Sequence, residues 1–92
     1  MNPSRARRRI RELARAGRVR FTEYSALRML QRQVSAAEVF RVLTTVHRCY
    51  SQPNGRWRVG GEELTVVVEL TDDAIVVTLF RGDEDGDEDE AD

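Results

Sequence analysis

Ninety-two residues, 40% apolar and 34% charged, suffice for one domain and not for two. A single cysteine and a single histidine, Cys49 and His47, exclude an internal disulfide and a zinc cluster. The lone cysteine suits a reducing cytoplasmic setting, and no apolar run approaches membrane-spanning length, so no membrane association is expected. The net charge of −1 conceals segregation: residues 1–20 hold eight arginines and one acid, residues 83–92 hold eight acids and no base, and all fifteen basic residues are arginine.

The first helix is predicted over Pro3 to Ala16. Asn2 suits the cap, Pro3 the first helical position and Gly17 a left-handed stop. Ala6, Ile10, Leu13 and Ala14 form one narrow apolar stripe, and arginines fill the rest. Val19 to Phe21 reads as a short extended link. Thr22 caps a second helix, Glu23 to Gln31, with Ala26, Leu27 and Leu30 as its apolar face, Met29 beside them, and Tyr24, Arg28 and Arg32 on a second face. Ser35 and Glu38 make a capping box for a third helix running to Thr45, with Val34 and Val39 placed as a hydrophobic staple.

The period then changes to two. Strands are predicted over His47 to Ser51, Arg56 to Val59, Leu64 to Leu70 and Ala74 to Phe80. Gln52-Pro53-Asn54-Gly55, Gly60-Gly61 and Thr71-Asp72-Asp73 supply the turns. Short connections favour an antiparallel meander. The last two strands, apolar on both faces, belong at its centre. The expected architecture is α+β, with N-terminal helices packed on a four-stranded antiparallel sheet. It divides into a basic helix over 1–18, an α+β domain over 19–82 and a disordered acidic tail over 83–92.

Few catalytic arrangements fit. His47 and Cys49 flank Arg48 on one strand, but a lone strand cysteine is usually a small buried side chain. Gly60-Gly61 is a bare pair, not a phosphate-cradling loop, so no cofactor and no metal are expected. Nucleic acid is better served. Arg28 and Arg32 can hold phosphate bidentately, with Tyr24 as a stacking surface; the alternative is a solvated face paired with Glu23 or Glu38. Arg56 and Arg58 share one face of their strand, and Trp57 takes the other, toward the core. In the first helix, Arg8 and Arg11 are further candidates for phosphate contact, although its arginines cannot all face one way.

The order of these segments resembles the family catalogued as domain of unknown function 4258. Phe21-Thr22-Glu23-Tyr24-Ser25-Ala26-Leu27-Arg28-Met29 is similar to that family's opening, Val34-Ser35-Ala36-Ala37-Glu38-Val39 to its next helix, Gly55-Arg56-Trp57 to its Gly-Arg-aromatic element, and Val77-Thr78-Leu79-Phe80 to its closing strand. The resemblance implies a RelE/ParE-like toxin fold and a metal-independent endoribonuclease, with Tyr24, Arg28, Arg32 and Thr78 as its catalytic positions. It also implies RNA, or an antitoxin protein, as partner. Tyr24 stands where the family carries histidine, and a phenol titrates near ~10 where imidazole titrates near neutrality. The competing expectation is therefore a non-catalytic protein-interaction or regulatory module, self-associating through its opposite charge blocks.

Overall fold

Each helix begins at the cap that the sequence marks. The computed structural model describes residues 1–81. They form α1 (Pro3–Arg15), β1 (Val19–Phe21), α2 (Glu23–Arg32), α3 (Ala36–Thr45), β2 (Arg48–Ser51), β3 (Trp57–Gly60), β4 (Leu64–Leu70) and β5 (Ala74–Arg81). The acidic tail read at 83–92 lies outside the described residues. Asn2, Thr22 and Ser35 accept backbone N–H bonds from Arg5, Ser25 and Glu38, and Glu38 closes the capping box on Ser35. Gly17, at φ +74°, ends the first helical segment in the left-handed region.

The strands form a single mixed sheet of order β1-β5-β4-β3-β2. The expected four antiparallel strands are present as β2 to β5, and a fifth corrects the count. Val19–Phe21, read as a link, pairs parallel with Ala74–Val76. Three residues carry too little periodicity to announce a strand, and the partner arrives only after the whole meander has formed. Arg18 donates to Asp73 at 2.8 Å across this junction. β4 and β5 are interior strands, as expected.

One face of the sheet carries the core. Ala6, Ile10, Leu13 and Ala14 of α1 and Val39, Val42 and Leu43 of α3 pack onto Trp57, Val59, Leu64, Val66, Val68, Ala74, Val76 and Leu79. Val34 and Val46 join the same cluster. Trp57 is buried on this face, as its alternation with Arg58 requires. Val46 ends α3 at φ 45°, a left-handed conformation that β-branched residues rarely adopt. Its carbonyl accepts a 2.9 Å bond from Arg7 Nε, which ties α1 to this turn. No helix among the described residues is long and apolar enough to cross a membrane.

Candidate functional site

The site is built where β1 stops. β1 covers the margin of β5 only along Ala74–Val76, so the rest of that margin needs other donors. α2 supplies them. Thr22 N–H donates to the Val76 carbonyl at 3.2 Å and Thr22 Oγ1 to the Val77 carbonyl at 3.1 Å. Arg28 donates from Nε and Nη2 to the Leu79 carbonyl, each at 3.3 Å. A register shift assists. Val67 pairs with Thr78 and Val68 with Val76, which leaves Val77 as an extra residue in β5.

This attachment corrects the expected orientation of α2. Ala26, Leu27 and Leu30, expected as its apolar face, are exposed, Leu27 to 50% and Leu30 to 78%. The buried residues of α2 are Ser25 and Arg28. The bare carbonyls of β5 require hydrogen-bond donors, and the helix turns its polar side inward to provide them. Arg28, 3% exposed, is therefore not on a solvated face, and Glu38 takes Arg81 as its partner at 3.2 Å.

Beside this junction the sheet presents a transverse row on the face away from α1 and α3. Tyr50 pairs with Arg58, Arg58 with Val67, and Val67 with Thr78, so the four side chains lie side by side. The Arg58 guanidinium sits 5.2 Å from the Phe80 ring centroid, a cation–π contact. Thr78 is 1% exposed, and its Oγ1 has no hydrogen-bond partner among the described residues. A buried unpaired hydroxyl costs about 1–3 kcal/mol, which makes it a notable position.

Of the residues singled out from sequence, Arg58 and Thr78 share the row, on either side of Val67, and Arg28 bonds the carbonyl of Leu79, the residue after Thr78. Tyr24 and Arg32 are half-buried, one helical turn before and after Arg28. The Arg32 carbonyl accepts from Arg81 Nη2 at 3.2 Å. Arg56 is not in the row. It precedes β3, its carbonyl accepts from Gln52 N–H at 2.9 Å, and it lines a hollow with Trp57 and Leu70. Arg8 and Arg11 belong to α1, which packs on the opposite face of the sheet, so they cannot act on the same phosphate as Arg28 and Arg58. Sequence reasoning missed Tyr50 and Phe80. The signal was the hairpin register, since the turn after Ser51 sets Tyr50 opposite Arg58.

Two other titratable groups are perturbed away from the row. Burial pushes the Cys49 thiol up, with the charge of Arg7 acting the other way, and Cys49 packs against the core as a small apolar side chain. Glu38 is lowered first by the Ser35 backbone hydrogen bond, then by Arg81. His47 is exposed and lines a separate hollow with Glu38, Arg41, Glu62 and Glu63. Among the described residues, no three His, Cys, Asp or Glu side chains are grouped to hold a metal ion.

The row thus joins the Arg58 guanidinium, the Thr78 hydroxyl and the rings of Tyr50 and Phe80, with Arg28 buried at the neighbouring β5 margin. Guanidinium and hydroxyl donors suit a phosphate or carboxylate oxygen, and rings beside them suit a flat base. In comparisons with known proteins, no family model, no curated protein and no solved structure matches the chain.

Proposed function

We propose that this chain is a RelE/ParE-like RNA-binding domain that takes the phosphates of single-stranded RNA on the sheet face carrying Arg58, beside the buried Arg28 and Thr78. The observation that carries the reading is the row Tyr50–Arg58–Val67–Thr78, ended by Arg28 at β5. Arginine neutralises phosphate in a fork geometry, and neighbouring rings stack on unpaired bases. Cleavage asks for more: one group must take the proton of a ribose 2′-hydroxyl and another must protonate the leaving oxygen. The chain's one imidazole, His47, lies outside the row. A ribonuclease reading therefore rests on Tyr24, and binding is the better-supported activity.

The test is anisotropy of a labelled single-stranded RNA at low salt. It uses the wild-type chain and a full-length chain with every acid of residues 83–92 changed to its amide. Arg58→Gln in either background is expected to weaken binding at least about threefold and to lower the salt slope by about 1. The reading fails if neither chain binds, or if Arg58→Gln leaves both quantities unchanged. RNA cut by the wild type and left intact by Tyr24→Phe would add catalysis.

A second reading, a protein-interaction module, draws on the exposure of Leu27 and Leu30 on the outer side of α2. It expects a protein partner of the antitoxin kind whose co-purification survives moderate salt and is lost with Leu30→Ser.

A further inference from the structure

The solvent-open part of the basic face lies over β2. Val67, Thr78 and Phe80 are buried, whereas Tyr50 is 55% exposed and Arg48 is exposed beside it. Arg48 and Tyr50 are two residues apart in β2, so their side chains leave the same face. Arg48 opens a second transverse row: it pairs with Gly60, Gly60 with Thr65, and Thr65 with Phe80. The Arg58 guanidinium, 5.2 Å from the Phe80 ring centroid, lies against the last member of this row.

The bare backbone of Gly60 makes a seat for Arg48. A Cβ on Gly60 would stand 2.9 Å from Arg48 Nε and 3.2 Å from Nη2, inside the distance at which side chains pack. Glycine therefore lets the guanidinium lie directly on the strand. Nη2 donates to the Gly61 carbonyl at 2.8 Å, which fixes the group in place. Among the described residues no carboxylate is in ion-pair range of Arg48. Residues 46–61 hold His47 and three arginines but no acid. Arginine carries five N–H donors, so donors beyond the one on Gly61 remain for an anion.

We infer that Arg48 is a second phosphate contact on this face, positioned by Gly60, and that RNA lies across the β2 end with one phosphate on Arg58, the next on Arg48 and a base on Tyr50. The inference rests on the RNA-binding reading above and assigns it a second subsite. Arg58 and Gly60 are two residues apart in β3, ~7 Å at about 3.3 Å each, so the two guanidiniums can serve neighbouring phosphates of one strand. A guanidinium already held in one geometry loses little side-chain freedom when the phosphate arrives. Tyr50, between Arg48 and Arg58 on the open face, is placed to stack on the base that joins them.

The experiment measures binding of the same labelled RNA to Arg48→Gln, to Gly60→Ala and to the double variant. Arg41→Gln serves as charge control, on α3 at the other face of the sheet. Arg48→Gln is expected to weaken binding at least about threefold and to lower the salt slope by about 1. Gly60→Ala keeps every charge but moves the guanidinium off its seat. It should weaken binding by a similar factor, with no further loss in the double variant. Arg41→Gln should cost markedly less. The inference is overturned if Arg48→Gln changes neither quantity, if Arg41→Gln matches it, if Gly60→Ala binds as wild type does, or if the two losses add in full. In each of those cases the RNA-binding reading stands as long as Arg58→Gln still weakens binding. If no chain binds RNA, that reading fails and pyrophosphate decides the subsite. The Arg48 Nε–Hε resonance should then shift more than that of Arg41 in the wild type, and no more than it in Gly60→Ala; equal shifts in the wild type overturn the inference as well.

Discussion

Thr22 joins the end of β1, the start of α2 and the margin of β5 through one hydroxyl, so its removal tests how α2 is held. Oγ1 accepts from Ser25 N–H at 3.0 Å as the helix cap and donates to the Val77 carbonyl at 3.1 Å. Thr22→Ala loses both bonds. The cap contributes about 1 kcal/mol. Leaving the part-buried Val77 carbonyl without its donor costs about 1 kcal/mol more. The bonds share one atom and are not independent, so about 1.5–2 kcal/mol is expected in total. For a domain of this size that lowers the melting temperature by roughly 6–16 °C, at about 4–8 °C per kcal/mol. Thr22→Ser keeps both bonds and should stay within about 0.5 kcal/mol of wild type. Urea unfolding followed by Trp57 fluorescence and by helical circular dichroism would measure both variants, with an unchanged slope as the check on two-state behaviour. If Thr22→Ala falls within 0.5 kcal/mol of Thr22→Ser, where ~0.5 is the ordinary scatter of surface substitutions, the hydroxyl does not anchor α2 and this account of the site is wrong.

Leu30→Ser should change stability by less than about 0.5 kcal/mol because the side chain is 78% exposed, whereas Leu43→Ala, in the core, should cost about 2–5 kcal/mol; equal costs in denaturant melts would put α2 the other way round. Arg7→Ala should cost about 1 kcal/mol through its bond to Val46, and Arg8→Ala close to nothing, so a matched loss in the two melts would count against a structural role for Arg7. Glu38 titrates below its ordinary value, so the stability it contributes is complete above the usual carboxylate range and is lost as pH falls through its lowered pKa. Glu38→Gln should therefore lower the melting temperature at pH 7 and converge on wild type in strong acid; a gap that persists in acid would contradict the assignment.

The local features of this chain were legible because they depend on near neighbours. Asn2, Thr22 and the Ser35–Glu38 box start helices where their side chains can reach a backbone N–H three residues ahead. The alternation of Leu64, Val66 and Val68 marks β4, and that of Arg56, Trp57 and Arg58 points Trp57 inward. Arg28 and Thr78 lie fifty residues apart, and nothing local to either announced that Arg28 would bond the strand that carries Thr78.

What only the tertiary structure decided concerns groups far apart in the chain. β1 is a strand because β5 returns beside it, and nothing within Val19–Phe21 signals that pairing. Hydropathy gave α2 an apolar face at Leu27 and Leu30, but the helix meets a sheet margin, and unpaired carbonyls there call for Thr22 and Arg28. Fifteen arginines look alike in the sequence, yet Arg7 supports a strained turn, Arg28 caps a strand margin and Arg58 lies on a phenylalanine ring. Periodicity reports which residues share a face of one element. Which face is buried, and against what, is set by the hydrogen bonds and packing that the rest of the chain leaves to be completed.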